Sequence, residues 1–195
     1  MPRTGEREAG AGGEGARRRR SVGTREMEFA IRPARPEDGP RCQEIAVDAW
    51  RPIYAARREQ LGDGLFGHLF REWEAQKAGQ IAGAFQRHPD WILVACVACP
   101  AGPGEDGPLV GFVTYQLDEA ALTGTIGNNA VDPRWQGRGI ATALYGRTLE
   151  LFRRVGMRVA RVTTGLDAAH SPARAAYRRA GFVHEVPSVT FYREL

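Results

Sequence analysis

Lysine is almost missing from this chain: of its 27 basic residues, 26 are arginine and Lys77 stands alone. The arginine surplus reads as a coding bias, because outside the N-terminal segment the arginines do not cluster. Cysteine is scarce as well. Cys42, Cys96 and Cys99 are too few for a disulfide scaffold. Cys96 and Cys99 form one Cys-x-x-Cys, but no second pair or histidine pair accompanies it, and Pro100 follows. Cys96 also lies in an apolar strand pattern, so the pair reads as structural and no metal is expected. No apolar run approaches the ~18–20 residues that cross a bilayer, which excludes a membrane-spanning helix and leaves no membrane partner expected. The N-terminus lacks the apolar core of a secretory signal, so a cytoplasmic location is expected. A large charge excess is missing too. The net charge is +4, and residues 1–26 hold seven Arg and four Glu, leaving +1 for the other 169 residues. A near-neutral body gives no electrostatic reason to expect nucleic acid.

What the sequence does contain is material for one domain of 195 residues with 43% hydrophobic content. Residues 1–26 have six Gly and no aromatic residue, which predicts a disordered Arg/Gly-rich tail. Arg17 to Arg20 could contact phosphates or acidic lipid. The alternative is a solvated tail, or an upstream extension with Met27 as the natural start. Residues 27–195 form the predicted domain. Phe29–Arg32 reads as a strand, and a helix opens at Pro40 with Ile45, Ala46, Ala49, Trp50 and Ile53 helically spaced. A second helical region covers roughly 64–87. Trp91–Cys96, Leu109–Leu117 and Thr123–Val131 read as strands, the first two separated by a Gly/Pro/Asp turn at 101–108. An amphipathic helix is predicted over about 138–155, a strand over Val159–Thr164, a helix over Pro172–Ala180 and a strand pair over Val183–Tyr192 broken near Pro187. The order predicts a single α+β domain, with a mixed central sheet of about six or seven strands flanked by about four helices.

The segment richest in chemistry runs from Ala130 to Thr142. A strand ends at Val131, Pro133 breaks it, and a glycine loop enters an amphipathic helix. The N–H groups of Gly137 to Thr142 are then free at a helix N-terminus, a nest for an anion. Glycine at 137 and 139 lets the backbone approach phosphates without an intervening Cβ. The loop is neither a dinucleotide fingerprint nor a P-loop, since the third glycine and the Gly-Lys-Ser/Thr are both missing.

Val131-Asp132-Pro133 followed by Gln136-Gly137-Arg138-Gly139-Ile140-Ala141 resembles the Q/R-x-x-G-x-G/A signature of the GNAT N-acetyltransferase superfamily. A second block, His170 to Phe182, resembles that family's N-x-x-A-x-x-x-Y-x-x-x-G-F, with Ala173, Tyr177, Gly181 and Phe182 matching and His170 in place of the usual Asn. The resemblance implies acetyl-CoA as cofactor. Gln136 to Thr142 would bind its pyrophosphate, and Asn129, Ala130 and Val131 would hold the pantetheine arm in a gap between splayed parallel strands. His170 and Ala173 would contact the cofactor from the second block. A backbone N–H at 129–131 would polarise the thioester carbonyl. Tyr177 would protonate the departing thiolate; its other reading is a packing tyrosine.

Family members often carry a Glu base on the fourth strand or at the end of the fifth. Here those positions read Thr125 and Gly165, which cannot take a proton. Asp118, Glu119, Asp167, His170 and Glu185 are the nearby substitutes, and the base stays unassigned; His170 also reads as a loop or cap residue. Trp50 and Tyr54 lie where the family's helices cover the acceptor, as substrate contacts or as core. The implied activity is acetyl transfer from acetyl-CoA to a primary amine, of a small molecule or a peptide, by direct attack in a ternary complex. The protein would act as a monomer or homodimer. The rival is a catalytically weak acyl-CoA-binding sensor, suggested by the missing carboxylates.

Overall fold

The computed structural model describes residues 29–98 and 106–195. The predicted tail at 1–26, Cys99 and most of the predicted 101–108 turn lie outside these residues. Five strands form one sheet in sequence order: β1 (Phe29–Pro33), β2 (Ile92–Ala98), β3 (Asp106–Asp118), β4 (Thr123–Val131) and β5 (Val159–Val162). The first four pair antiparallel, and β4 pairs parallel with β5.

Strand alternation splits the interior in two. Val94, Cys96, Phe112 and Ala130 meet Cys42, Ile45, Ala46 and Ile81 of α1 (Gly39–Phe70) and α2 (Trp73–Arg87) on one face. Leu93, Ala95, Val113 and Val131 meet Ile140, Leu144 and Phe152 of α3 (Ile140–Arg154), with Ala176 and Tyr177 of α4 (Ser171–Arg179), on the other. The result is α+β, a sheet between two helical layers. Cys42 and Cys96 are both buried inside the first cluster, and burial pushes the Cys42 thiol well above its usual range.

Two expectations need correction. Among the described residues the sheet has five strands, not six or seven, and residues 183–192 form no strand; Val186 and Phe191 are 95% and 91% exposed. The apolar alternation is present, but Pro187 lacks an N–H for a ladder, and the strand at that edge, β5, is only four residues long. β4 and β5, where the gap between splayed parallel strands was expected, are the parallel pair of the sheet. They pair from Thr123↔Val159 to Ile126↔Val162, where β5 ends. The first helix is also longer than predicted. It runs on to Phe70, with a break at Gly62 (φ +75°), so the predicted 64–87 helix is divided at Arg71–Glu72.

Candidate active site

The site begins at a bulge. Val113 pairs with Asn129 and Tyr115 with Ile126, so Thr114 of β3 faces two residues of β4, Gly127 and Asn128. Only glycine fits there: a Cβ on Gly127 would lie 2.6 Å from Thr114 Oγ1. The extra residue reverses the alternation of β4 just where pairing with β5 stops. Asn128 then faces α2, and Asn129 faces α3 and α4. From Gly127 to Val131, β4 has no strand partner on its β5 side among the described residues.

A cleft of about 1180 Å³ opens along this edge, between β4, the N-terminal ends of α3 and α4, and the middle of α1. Asn129, Ala130, Val131, Gln136, Gly137, Gly139, Ile140, Ala141 and Thr142 all line it, as do His170, Ala173, Tyr177 and Trp50. Two predicted residues do not. Arg138 turns outward, with its guanidinium 4.7 Å from the Trp135 ring centroid. Tyr54 stacks on Trp73 at 4.2 Å, on the α1–α2 seam.

The glycine loop is built as an anion nest. Gly137 and Gly139 have φ of +77° and +80°, and Gly139 is the left-handed residue that opens α3. Its carbonyl accepts from Ala143 N, leaving the N–H groups before Ala143 without intrahelical partners. Gln136 donates from Nε2 to the Val131 carbonyl at 3.1 Å, closing the loop. Asp132 anchors it: its carboxylate accepts from Arg134 N (2.9 Å), Arg134 Nε (3.1 Å), Arg134 Nη2 (2.8 Å) and Arg41 Nη2 of α1. These bonds, those of Arg134 foremost, outweigh burial and hold the Asp132 carboxyl at about 2.

Tyr177 is buried at the cleft wall. Its hydroxyl lies 3.1 Å from Asn129 Nδ2 and 3.3 Å from Asn129 Oδ1, and Tyr145 donates to the same Oδ1 at 2.6 Å. Burial raises the pKa of both tyrosines, so both phenols are protonated at neutral pH. The sequence reading missed Tyr145, which shares the apolar stripe of α3 with Ile140 and Leu144 and therefore reads as core.

Lys77 was missed too, although its rarity was a signal. Its side chain is buried beneath the cleft wall, donating to Gln80 Oε1 (2.9 Å) and Asn128 Oδ1 (3.1 Å), with Nζ 4.3 Å from the Trp50 ring centroid. Burial, with the charge of Arg57 behind it, lowers its pKa to about 8.

The five suggested bases separate clearly. Glu185 pairs with Arg178 at 2.7 Å on the surface, and Asp118 accepts from Ala121 N in a turn. Neither they nor Glu119 line the cleft. His170 does, and its Nδ1 lies 2.6 Å from Asp167 Oδ2. Among the described residues, no group of three or more His, Cys, Asp or Glu could hold a metal. No helix there is long and apolar enough to cross a membrane.

The model of the acetyltransferase (GNAT) family matches residues 68–182. Mycothiol acetyltransferase of Beutenbergia cavernae is 39% identical over 77 residues, 40% of this chain and 25% of that protein. The match thus spans a quarter of the relative's length. The PaiA N-acetyltransferase of Thermoplasma acidophilum, solved with coenzyme A, has the same fold: TM-score 0.58, 18% identity, 83% of this chain and 94% of that one. Ard1 of Thermoplasma volcanium gives a TM-score of 0.55 at 22% identity, over 81% of this chain and 84% of that one.

Proposed function

The chain belongs to the GNAT acetyltransferase family, and on that premise we propose that it transfers the acetyl group of acetyl-CoA to a primary amine by direct attack in a ternary complex. The observation that carries this reading is one cleft lined by the left-handed glycine opening of α3, the unpaired edge of β4 and Tyr177. The N–H groups at the start of α3 bind the pyrophosphate, with the helix dipole adding to the attraction. The edge of β4 from Gly127 to Val131 bonds the pantetheine arm as a strand would and offers an N–H to the thioester carbonyl. Tyr177 gives its proton to the thiolate. Trp50 walls the acceptor side.

The test has two arms. Acetyl-CoA binding is measured by calorimetry for the wild type and for Gly139→Asp, which sets a carboxylate in the nest at a left-handed position. Affinity falls tenfold or more, about 1.4 kcal/mol, with folding checked by circular dichroism. CoA release is then followed with glucosamine, spermidine, tobramycin and a tripeptide bearing a free α-amine. A catalytically weak acyl-CoA-binding sensor is the second reading, favoured by Thr125 and Gly165, whose side chains accept no proton. It predicts binding with no CoA release. Unchanged affinity in Gly139→Asp removes the loop from cofactor binding.

A further inference from the structure

We propose that His170 is the group that takes the proton from the acceptor amine, and that Asp167 is its positioning residue; the assignment rests on the acetyltransferase reading above. The pair is a built unit. Asp167 accepts from the His170 backbone N at 3.1 Å through Oδ1 and meets Nδ1 at 2.6 Å through Oδ2. Burial works against the Asp167 carboxylate, but the hydrogen bond and charge of His170 outweigh it and keep its pKa below the ordinary carboxylate value. An ionised carboxylate can only accept, so Nδ1 carries the hydrogen, and in the neutral imidazole the lone pair is then on Nε2. Nε2 has no hydrogen-bond partner among the described residues, and the imidazole lines the cleft.

Gly165 makes the pair possible. A Cβ there would lie 2.5 Å from His170 Nδ1 and 2.6 Å from Asp167 Oδ2. The position that holds no proton acceptor of its own is empty of side chain because the imidazole and carboxylate fill that space. Arg174 locks the segment from α4, donating to the carbonyls of Gly165 (2.7 Å) and Asp167 (2.8 Å). The turn Ala168–His170 also packs against α1, which brings Trp50 to the same cleft. The imidazole thus stands between the cofactor wall of α4 and the acceptor wall of α1.

The proton balance closes. An acceptor ammonium gives one proton to Nε2, and the amine nitrogen forms a bond to the carbonyl carbon as the carbon–sulfur bond breaks. The nitrogen's second proton is lost after attack; the thiolate gains one from Tyr177, whose hydroxyl that second proton restores. The proton on Nε2 passes to solvent. The charged groups around His170 are Asp167 on its own turn and Arg174 of α4. Asp48 of α1 and Arg179 of α4 share the cleft, and between β5 and the turn Ala168–His170 the chain presents Thr163 and Thr164 to it.

The test uses the full chain with the four amines named above. His170→Gln lowers kcat/KM for the amine about a hundredfold at neutral pH, while acetyl-CoA affinity stays within about threefold. The deficit shrinks as pH rises toward the ammonium's own pKa, about 10.4 for a lysine-like amine, because the amine then sheds its proton unaided. Asp167→Asn keeps the imidazole and lowers kcat/KM about tenfold. In 15N spectra of labelled histidine, the Nδ1-protonated tautomer of the wild type gives way to a mixture in that variant. If the wild type releases no CoA with any amine, the acetyltransferase reading fails and the base goes with it. If the wild type turns over and His170→Gln matches it from about pH 6 to 9, only the base assignment falls. Lost acetyl-CoA affinity with kcat intact places His170 in cofactor binding and overturns the proposal. Should His170→Gln not fold, Asp167→Asn decides: full turnover with an unchanged tautomer removes the pair.

Discussion

Tyr177 illustrates how one hydroxyl can serve packing and chemistry at once, and how to separate the two. Its ring lies 4.8 Å from that of Tyr145 and its oxygen touches both polar atoms of Asn129. Tyr177→Phe keeps the ring contacts and removes only the oxygen. Stability falls by about 1 kcal/mol for the lost hydrogen bond. If the oxygen also protonates the thiolate, kcat falls about tenfold to a hundredfold while acetyl-CoA affinity holds. Measuring kcat and thermal stability on one preparation distinguishes this from packing alone, in which kcat is retained.

Lys77 gives a different kind of residue-scale expectation, one about pH. Its pKa is about 8 in the folded chain against 10.5 ordinarily. A basic group depressed by folding is a burden while charged in both states, and the burden lifts as pH climbs through 8 toward 10.5. Stability therefore gains on the order of 1–2 kcal/mol between about pH 7.5 and 9.5 from this group. Lys77→Met abolishes that gain and is no less stable than the wild type at about pH 7.5. Denaturant midpoints for both proteins at both pH values check it, and an equal rise in the variant would assign the effect elsewhere.

Among the elements, α3 and its approach were legible in the sequence because three independent signals coincide there. Pro133 stops β4, glycines permit positive φ, and Ile140 and Leu144 give the helix a buried face. The Asp132 clamp could not be read, since Arg41 lies 91 residues away in sequence. Nor could the bulge at Gly127, because a single glycine in a strand pattern does not say which residue faces it. The strand pair at 183–192 had the right alternation, yet a strand exists only with a partner edge, and alternation carries no information about that. The contact of His170 with Asp167 was equally hidden, as it depends on a tight turn.

Asp132 couples these elements, tying α1 to the loop that opens α3. Asp132→Asn weakens the ion pairs to Arg41 and Arg134 and costs about 1–3 kcal/mol. Because folding depresses this carboxyl from 3.8 to about 2, its contribution is present above pH 3.8 and lost as pH falls toward 2. The wild type should thus lose stability across that window more steeply than Asp132→Asn. Acid-unfolding curves of the two proteins test the sign, and parallel curves would deny the clamp its energetic role.

At the scale of the whole molecule, the described residues of the two cores and of the cleft between them begin at Phe29. Among the described residues the sheet starts there, and those lining the cleft lie between Asp48 and Arg179. Charge is distributed differently: residues 1–26 hold seven Arg and four Glu, most of the net +4. Acetyl-CoA is a polyanion, so a basic segment attracts it over a distance set by salt. The Debye length is about 8 Å at 0.15 M ionic strength and about 30 Å at 0.01 M. We therefore propose that removing residues 1–26 leaves the melting temperature and the acetyl-CoA affinity unchanged at about 0.15 M salt. At about 0.01 M the full chain binds more tightly than the shortened one, because only there does the +3 reach the cleft unscreened. Calorimetry on both chains at both salt concentrations measures this. A loss of affinity or of melting temperature at 0.15 M would mean that the segment contacts the domain directly, and the boundary at residue 27 would have to move.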